Sequence, residues 1–372
     1  MPSLPKAPLR GKQNIKSSSV AGALNVPSFR RKLATWYREN ARTLPWRNVH
    51  DPYKIWLSEI MLQQTRVAAV IEHYHDFLRR FPTVQALAAA PEADVLAAWS
   101  GLGYYRRARM MHKAAQVLDQ ELSGSFPKTS EELRALPGIG EYTSAAIASI
   151  AYGESIAVVD GNVERVLLRI TGRSEEKTAA SRTFIRQYAQ ALVPPRKFDE
   201  DTNAAGDHNQ AMMELGATIC LPRSPLCLQC PVYALCKTQG EHVTLPKGKQ
   251  RIVGVAYLLF LRRLGAVTEV LLERRPDSAS LMAGMYELPP LPLDTATGRE
   301  PVLRVRHAIT NTNYQVEIFS PDSQKDTVLQ RAIPASRETL YWTPTSRLGE
   351  LPLTGLARKV LQRLEIMAAR SR

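Results

Sequence analysis

All four cysteines of this 372-residue chain fall within seventeen residues, as Cys220, Cys227, Cys230 and Cys236 in the pattern C-x6-C-x2-C-x5-C. Thiols this close together cannot staple distant parts of a large fold with disulfides. With no cysteine elsewhere, structural disulfides are excluded and a reducing, cytoplasmic compartment is expected, nucleoid-associated in a prokaryote. The cluster has the composition of one thiolate metal centre. Thiolate-only ligation suits tetrahedral zinc or an iron–sulfur cluster. Zinc sites usually pair two C-x2-C knuckles across a longer spacer. This chain has one knuckle, with spacers of six and five around it. That asymmetry favours a [4Fe–4S] cube, with zinc still open.

Lys and Arg exceed Asp and Glu by 49 − 35 = +14. A soluble chain this basic is expected to meet a polyanion. The length suggests two domains. No apolar run approaches the ~20 residues that cross a membrane, and no apolar signal-peptide core follows the start, so no membrane is expected. The first 38 residues hold eight bases and no acid. With Pro2, Pro5, Pro8 and Gly11, they read as a disordered basic arm over residues 1–27, in preference to an organelle transit peptide.

Helical signals dominate from Phe29 to Leu192. Glu59 to Phe81 reads as one long periodic run ended by Pro82, and Tyr105 to Leu122 as another helix after the break Ser100-Gly101-Leu102-Gly103. Thr129-Ser130-Glu131-Glu132 has the form of a capping box. Ala145 to Ala151, Val163 to Ile170 and Phe184 to Leu192 continue the helical pattern. Past residue 240 the pattern changes. Val253 to Leu261 and Val267 to Glu273 are β-branched runs joined by Arg262-Arg263-Leu264-Gly265, a hairpin signal. Tyr314 to Phe319 alternates, and Thr354 to Ala369 reads as an amphipathic closing helix. The expected organisation is multidomain: an all-α domain over 28–237 carrying the cysteine loop at 220–236, a linker over 238–250, and a smaller α+β domain over 251–372.

Leu136-Pro137-Gly138-Ile139-Gly140 lies between two helical stretches. Gly138 and Gly140 permit a tight turn and Ile139 can plug into the core. The helix that follows offers free N–H groups and a positive dipole end to a phosphate. This is the helix-hairpin-helix arrangement of sequence-independent DNA binders. Two acids then stand out. Glu59 sits among large apolar residues in Trp56-Leu57-Ser58-Glu59-Ile60-Met61-Leu62, where desolvation favours the protonated form a general acid needs. Asp160 precedes Gly161-Asn162 and a helix, whose N-terminus favours the anion. One carboxylate held towards neutral and one held charged is the division of labour of glycosidic bond cleavage.

Hairpin, Val159-Asp160-Gly161-Asn162 and cysteine loop follow in the order of the helix-hairpin-helix DNA glycosylases that carry an iron–sulfur cluster. Within that superfamily the chain resembles the adenine DNA glycosylase (MutY) family, which removes adenine mispaired with 8-oxoguanine. The matching strings are Leu44-Pro45-Trp46-Arg47, Glu59 through Gln64-Thr65, Gly101-Leu102-Gly103-Tyr104-Tyr105, Val159 to Asn162, and Met213-Glu214-Leu215-Gly216, and the resemblance covers residues 28 to 236 almost continuously. Relatives of the endonuclease III type carry a lysine two positions after the second hairpin glycine. Tyr142 stands there, and a phenol cannot form a Schiff base, so a monofunctional, retaining glycosylase is implied. The resemblance makes Glu59 the acid that protonates the departing adenine and Asp160 the group that stabilises or captures the sugar cation. It makes Tyr142 and Asn162 the residues that position Asp160 and the water. It also implies that Arg47 and Glu214 hold the extruded adenine, and that Gln64, Thr65 and Tyr104 contact the 8-oxoguanine side. The four cysteines would bind a [4Fe–4S] cluster that braces a DNA-facing loop bearing Arg223 and Lys237, with no position free for substrate.

The second domain resembles the family's Nudix-like C-terminal domain through Leu271-Leu272-Glu273-Arg274-Arg275-Pro276 and Gly284 to Pro289. The hydrolase box with its metal carboxylates is absent, so no magnesium chemistry is expected. Where many members read the lesion with Phe-Ser-His, this chain has Ile309-Thr310-Asn311, leaving Thr310 to supply a hydroxyl. The implied partner is double-stranded DNA holding an 8-oxoguanine:A or G:A mispair, met by a monomer. Two alternatives stand beside this reading. One is a glycosylase of the superfamily for another mispaired base such as T opposite G. The other is a non-catalytic iron–sulfur DNA-binding protein.

Overall fold

The computed structural model of the chain describes residues 24–176, 178–197, 202–244, 251–309, 311–321 and 337–368. The basic arm expected at the start lies outside them up to residue 23. The helices are α1 (Val26–Asn40), α2 (Pro52–Leu62), α3 (Val67–Arg80), α4 (Val84–Ala89), α5 (Glu92–Trp99), α6 (Arg106–Leu122), α7 (Ser130–Leu133), α8 (Glu141–Tyr152), α9 (Gly161–Thr171), α10 (Ala179–Leu192) and α11 (Ala204–Thr218). Two 3-10 turns, Cys227–Gln229 and Tyr233–Leu235, then carry the cysteine loop. The strands begin only at Arg251.

Local chemistry accounts for the helix starts. Asp51 accepts from the amides of Tyr53 and Lys54, and Pro52 occupies the first turn of α2, where its missing N–H costs nothing. Asp160 does the same for α9 through Val163 N, and Gly172 ends α9 in the left-handed region at φ 71°.

Two compact units form, each assembled from separate stretches of sequence. The first comprises Met1–Thr43, Lys128–Ser130 and Ser144–Leu245; the second comprises Leu44–Pro127, Glu131–Thr143 and Pro246–Arg372. In the first, α1, α9, α10 and α11 close around Phe29, Leu33, Leu167, Ile185, Leu192 and Leu215. In the second, α2 to α6 are joined by two four-stranded sheets, one in the order β5-β1-β7-β6 and one in which β3 pairs with β2, β4 and β8. The strands are β1 (Arg251–Leu258), β2 (Leu261–Leu264), β3 (Val267–Arg274), β4 (Tyr286–Glu287), β5 (Pro290–Leu291), β6 (Leu303–Ile309), β7 (Thr312–Phe319) and β8 (Leu340–Pro344). Two short helices, α12 (Leu293–Ala296) and α13 (Gly355–Arg363), complete it.

Three expectations need correction. The run from Glu59 to Phe81 is two helices: α2 stops at Leu62 and α3 starts at Val67, with Gln64 between them at φ 57°. No Gly or Pro marks this break, and its cause is tertiary, as described below. The hairpin through Gly265 joins β2 to β3, whereas β1 pairs parallel with β7 in the other sheet. The chain changes sheets at Leu259-Phe260, which bury one side chain in each of the unit's two strand-side cores. The closing helix ends at Arg363 because Glu365, at φ 57°, turns the chain back. That reversal packs Ile366 and Met367 against the core beneath β3 and β7.

Buried polar bonds fasten the last elements to the helices of the second unit. Arg358 of α13, only 6% exposed, donates through Nε to Ser100 Oγ at 2.9 Å. Ser100 Oγ and Tyr105 Oη each donate to the carbonyl of Leu353 at 3.0 Å. Among the described residues no helix is long and apolar enough to cross a membrane.

Candidate active site

In the second unit, Glu59 lies on α2, a helix whose residues from Ile55 to Met61 are all buried. Glu59 is 6% exposed, and Tyr142 Oη donates to its Oε2 at 2.5 Å. Tyr142 occupies the first turn of α8, directly after the hairpin, so the turn that places the helix also aims the phenol. Tyr142 is thus a direct partner of the Glu59 carboxylate.

A cleft of about 460 Å³ in the same unit brings together Gln64 and Tyr104 with Trp56, Ile60, Gln63, Arg106, Arg107, Met110, Met111, Pro137 and Gly138. Gln64 and Tyr104 both have left-handed backbones, φ 57° and 50°, and Tyr104 is 42% exposed. Arg107 stands behind them. Its Nη1 donates to the carbonyls of Ile60 at 2.6 Å and Met61 at 3.3 Å, and also to that of Gln63. Its Nη2 donates to Thr65 Oγ1 at 3.4 Å, Leu102 O at 3.4 Å and Gly103 O at 3.2 Å. The guanidinium also faces the Tyr104 ring at 5.3 Å. Burial pulls its pKa down to about 10, and Tyr104 acts in the opposite sense, so it stays charged at neutral pH. Helix ends leave carbonyls without partners. Arg107 supplies donors for those at the end of α2, which is why the chain can break there without Gly or Pro.

The hairpin meets its expected form. Ile139 is 5% exposed, and Gly138 takes φ 74° with a built Cβ only 2.5 Å from Met110 Cβ. A Cβ added at Gly140 would meet no atom within 4 Å, so that side of the turn faces open space.

In the first unit, Asp160 Oδ1 accepts from Val163 N at 2.7 Å and Oδ2 from Asn162 Nδ2 at 3.1 Å. Asn162 Oδ1 in turn accepts from Arg165 Nη2 at 2.9 Å. Arg165 continues to the carbonyl of Gly216 at 2.7 Å and that of Cys220 at 2.8 Å. A polar chain therefore runs from Asp160 to the cysteine loop. Gly216 makes the approach of α11 to α9 possible, since a Cβ there would lie 2.7 Å from Asn162 Cβ. Burial lowers the Arg165 pKa, with Cys220 the largest opposing influence.

Glu214 is 1% exposed on α11 and is held by Arg42, at 2.6 Å from Nε and 3.0 Å from Nη2. This fork satisfies a carboxylate that would otherwise be costly to bury. Neither Arg42 nor Arg107 was singled out in the sequence. Both are bases outside any motif, and only their buried acceptors reveal them. Arg47, half-buried, closes a turn by donating its amide to Leu44 O at 2.9 Å. β6 and β7 pair with Ile309 opposite Thr312, and Thr310 lies outside the described residues.

The four thiols are all half-buried. Burial pushes the Cys230 thiol up to about 11, and Cys220, Cys236 and Cys227 add to the rise. Cys227 is raised by burial and by Cys220 and Cys236. Arg169 Nη1 donates to Cys220 Sγ at 3.3 Å, and Gln239 N donates to Cys236 Sγ at 3.5 Å. Arg169, 2% exposed, also donates to the carbonyls of Leu221 at 2.7 Å and Pro222 at 2.9 Å. Among the described residues, no three His, Cys, Asp or Glu side chains yet stand in metal-holding geometry. The donor chemistry nonetheless fits a thiolate-bound group: four thiols on one loop, with N–H donors aimed at two of them.

A model of HhH-GPD superfamily base excision DNA repair proteins matches residues 57–195, from the middle of α2 to just past α10. The solved structure of a thermostable thymine-DNA glycosylase is similar at a TM-score of 0.51 and 29% identity, covering 57% of this chain and 96% of that one. The helical part of the chain thus has the fold of the helix-hairpin-helix base excision repair class. The adenine DNA glycosylase of Mycobacterium tuberculosis (strain H37Rv) is 42% identical over 218 residues, 58% of this chain and 68% of the relative. The human adenine DNA glycosylase is 45% identical over 227 residues, 58% of this chain and 40% of the relative. The chain belongs to the adenine DNA glycosylase family. It spans less than half the length of the human, rat and mouse relatives it matches.

Proposed function

We propose that this chain is a monofunctional DNA glycosylase that hydrolyses the N-glycosidic bond of adenine mispaired with 8-oxoguanine or guanine. The observation that carries the reading is the 2.5 Å bond from Tyr142 Oη to the buried Glu59, a phenol where lyase relatives carry a lysine. The target base must first leave the stack. Glu59, protonated, gives its proton to a ring nitrogen of adenine. The C1′–N bond then breaks with its electron pair going to the base, and adenine departs neutral. Positive charge on the deoxyribose is met by Asp160, which bonds transiently to C1′. Glu59, now ionised, takes a proton from the water that displaces Asp160, leaving an abasic site and both carboxylates as they began. Asn162 holds the Asp160 oxygen, and Arg165 holds Asn162.

Gln64 and Tyr104 address the orphaned partner base. Arg47 and Glu214 receive the adenine side, with Arg42 holding Glu214 in orientation. The hairpin Gly138-Ile139-Gly140 takes a DNA phosphate, and the +14 charge supplies sequence-independent attraction. The strand-rich end of the chain acts as a Nudix-like lesion reader. The protein works as a monomer in a reducing compartment.

Cys220, Cys227, Cys230 and Cys236 would hold a [4Fe–4S] cluster. It would brace the loop between Arg169 and Gln239 and carry no step of the chemistry. Iron and acid-labile sulfide at four of each per chain are expected from purified protein, and Cys230→Ser should lose both. Zinc alone would overturn that assignment.

The deciding assay uses duplexes holding a single 8-oxoguanine:A, G:A or G:T pair, with released base measured. Free adenine from the first two and no thymine from the third are expected. Thymine release would favour the G:T reading, and duplex binding without any base release would favour the non-catalytic one.

The two hairpin glycines should respond differently. Gly138→Ala forces φ 74° on an L residue and a clash with Met110, so we expect about 2–4 kcal/mol less stability in urea unfolding. Gly140→Ala meets no atom, so stability should hold while duplex affinity falls, because the Cβ intrudes where the phosphate approaches.

A further inference from the structure

We infer that Arg107 is the positioning residue that locks the two turns bearing Gln64 and Tyr104 into one rigid reader of the base opposite adenine. This rests on the function proposed above. The two turns lie about forty residues apart in sequence, and each carries a left-handed residue that is neither Gly nor Asn. Such backbones are held only where the surroundings over-determine them. Arg107 provides the constraint. One guanidinium nitrogen donates to three carbonyls at the end of α2 and in the Gln63 turn. The other donates to Leu102 O, Gly103 O and Thr65 Oγ1, and so spans both turns. A planar fork with fixed donors can join two loops in register. A lysine ammonium, with three donors around one point, cannot cover the same acceptors. Arg107 itself need not touch DNA, because it acts through Gln64 and Tyr104.

Two measurements on the full chain test this, using Arg107→Met and Arg107→Lys. Hydrogen exchange should speed up by about tenfold or more at the amides of both turns, 63–65 and 102–104, in each variant. Exchange that stays slow at either turn in both variants overturns the inference. The exchange result does not depend on activity, so it stands even if wild-type protein releases no adenine, which would sink the proposed function instead. Single-turnover excision should then show the preference for 8-oxoguanine:A over G:A falling by about tenfold in Arg107→Lys, with excision from G:A reduced much less. A purely structural arginine predicts otherwise: both substrates slowed equally, and full recovery by lysine. Either result would count against the clamp. If Arg107→Met fails to fold, Arg107→Lys carries both measurements.

Discussion

Glu59→Gln is expected to slow adenine release by roughly 10²–10⁴-fold while leaving duplex binding intact. The substitution keeps volume and shape in a site only 6% exposed. An amide oxygen still accepts from Tyr142 Oη, so neither α2 nor α8 has cause to move. What disappears is the proton. Adenine then has to leave as an anion, which is the part of the barrier a general acid removes. Released adenine is measured in single turnover, and binding by titration of an 8-oxoguanine:A duplex. Unchanged release would reduce Glu59 to a buried helix carboxylate. Release and binding lost together, with an altered urea midpoint, would show a structural role.

Asp160→Asn is the second large effect, with a loss of about 10³-fold or more expected in the same assay. Asp160 has two roles in this fold, and the substitution separates them. As N-cap of α9 it accepts from Val163 N, and asparagine caps about as well as aspartate. As an anion it can offset or capture a sugar cation, which asparagine cannot. The new amide can turn its oxygen to Val163 N or to Asn162 Nδ2, but not to both, so some loosening of Asn162 is expected. Stability should change by less than about 1 kcal/mol. Excision close to that of the wild type would mean that Asp160 only caps the helix.

Much of this site could be read from the chain because its parts are local. Asp160, its capping amide at Val163 and its partner Asn162 span four residues. The hairpin is five consecutive residues, and backbone rules alone require glycine at Gly138. The cysteine loop is likewise one short stretch. The helical character up to Leu192 and the strands β1, β3 and β7 followed from periodicity and β-branched composition.

The boundaries that were misread share one cause. α2 and α3 form one unbroken pattern in sequence, and Arg107, over forty residues later, ends the first by donating to its last carbonyls. β1 and β3 looked like a hairpin, yet burial of Leu259 in one core and Phe260 in the other sends them to different sheets. Distance in sequence also hides the partner of Glu214: Arg42, 172 residues earlier, is what makes a carboxylate tolerable at 1% exposure.

The sequence by itself determined the chemistry available: four thiols on one loop, a capped aspartate, a glutamate in an apolar run, a phenol after a two-glycine turn, and a basic surface. Those are properties of residue type and short spacing, and they survive in any fold that keeps the segments intact. Only the tertiary structure decided which partner each polar group has. It set Tyr142 on Glu59, Arg165 between Asn162 and the cysteine loop, and Arg107 across two turns. A buried donor or acceptor must be satisfied by whatever packing brings near it, and that partner is under no obligation to be close in sequence.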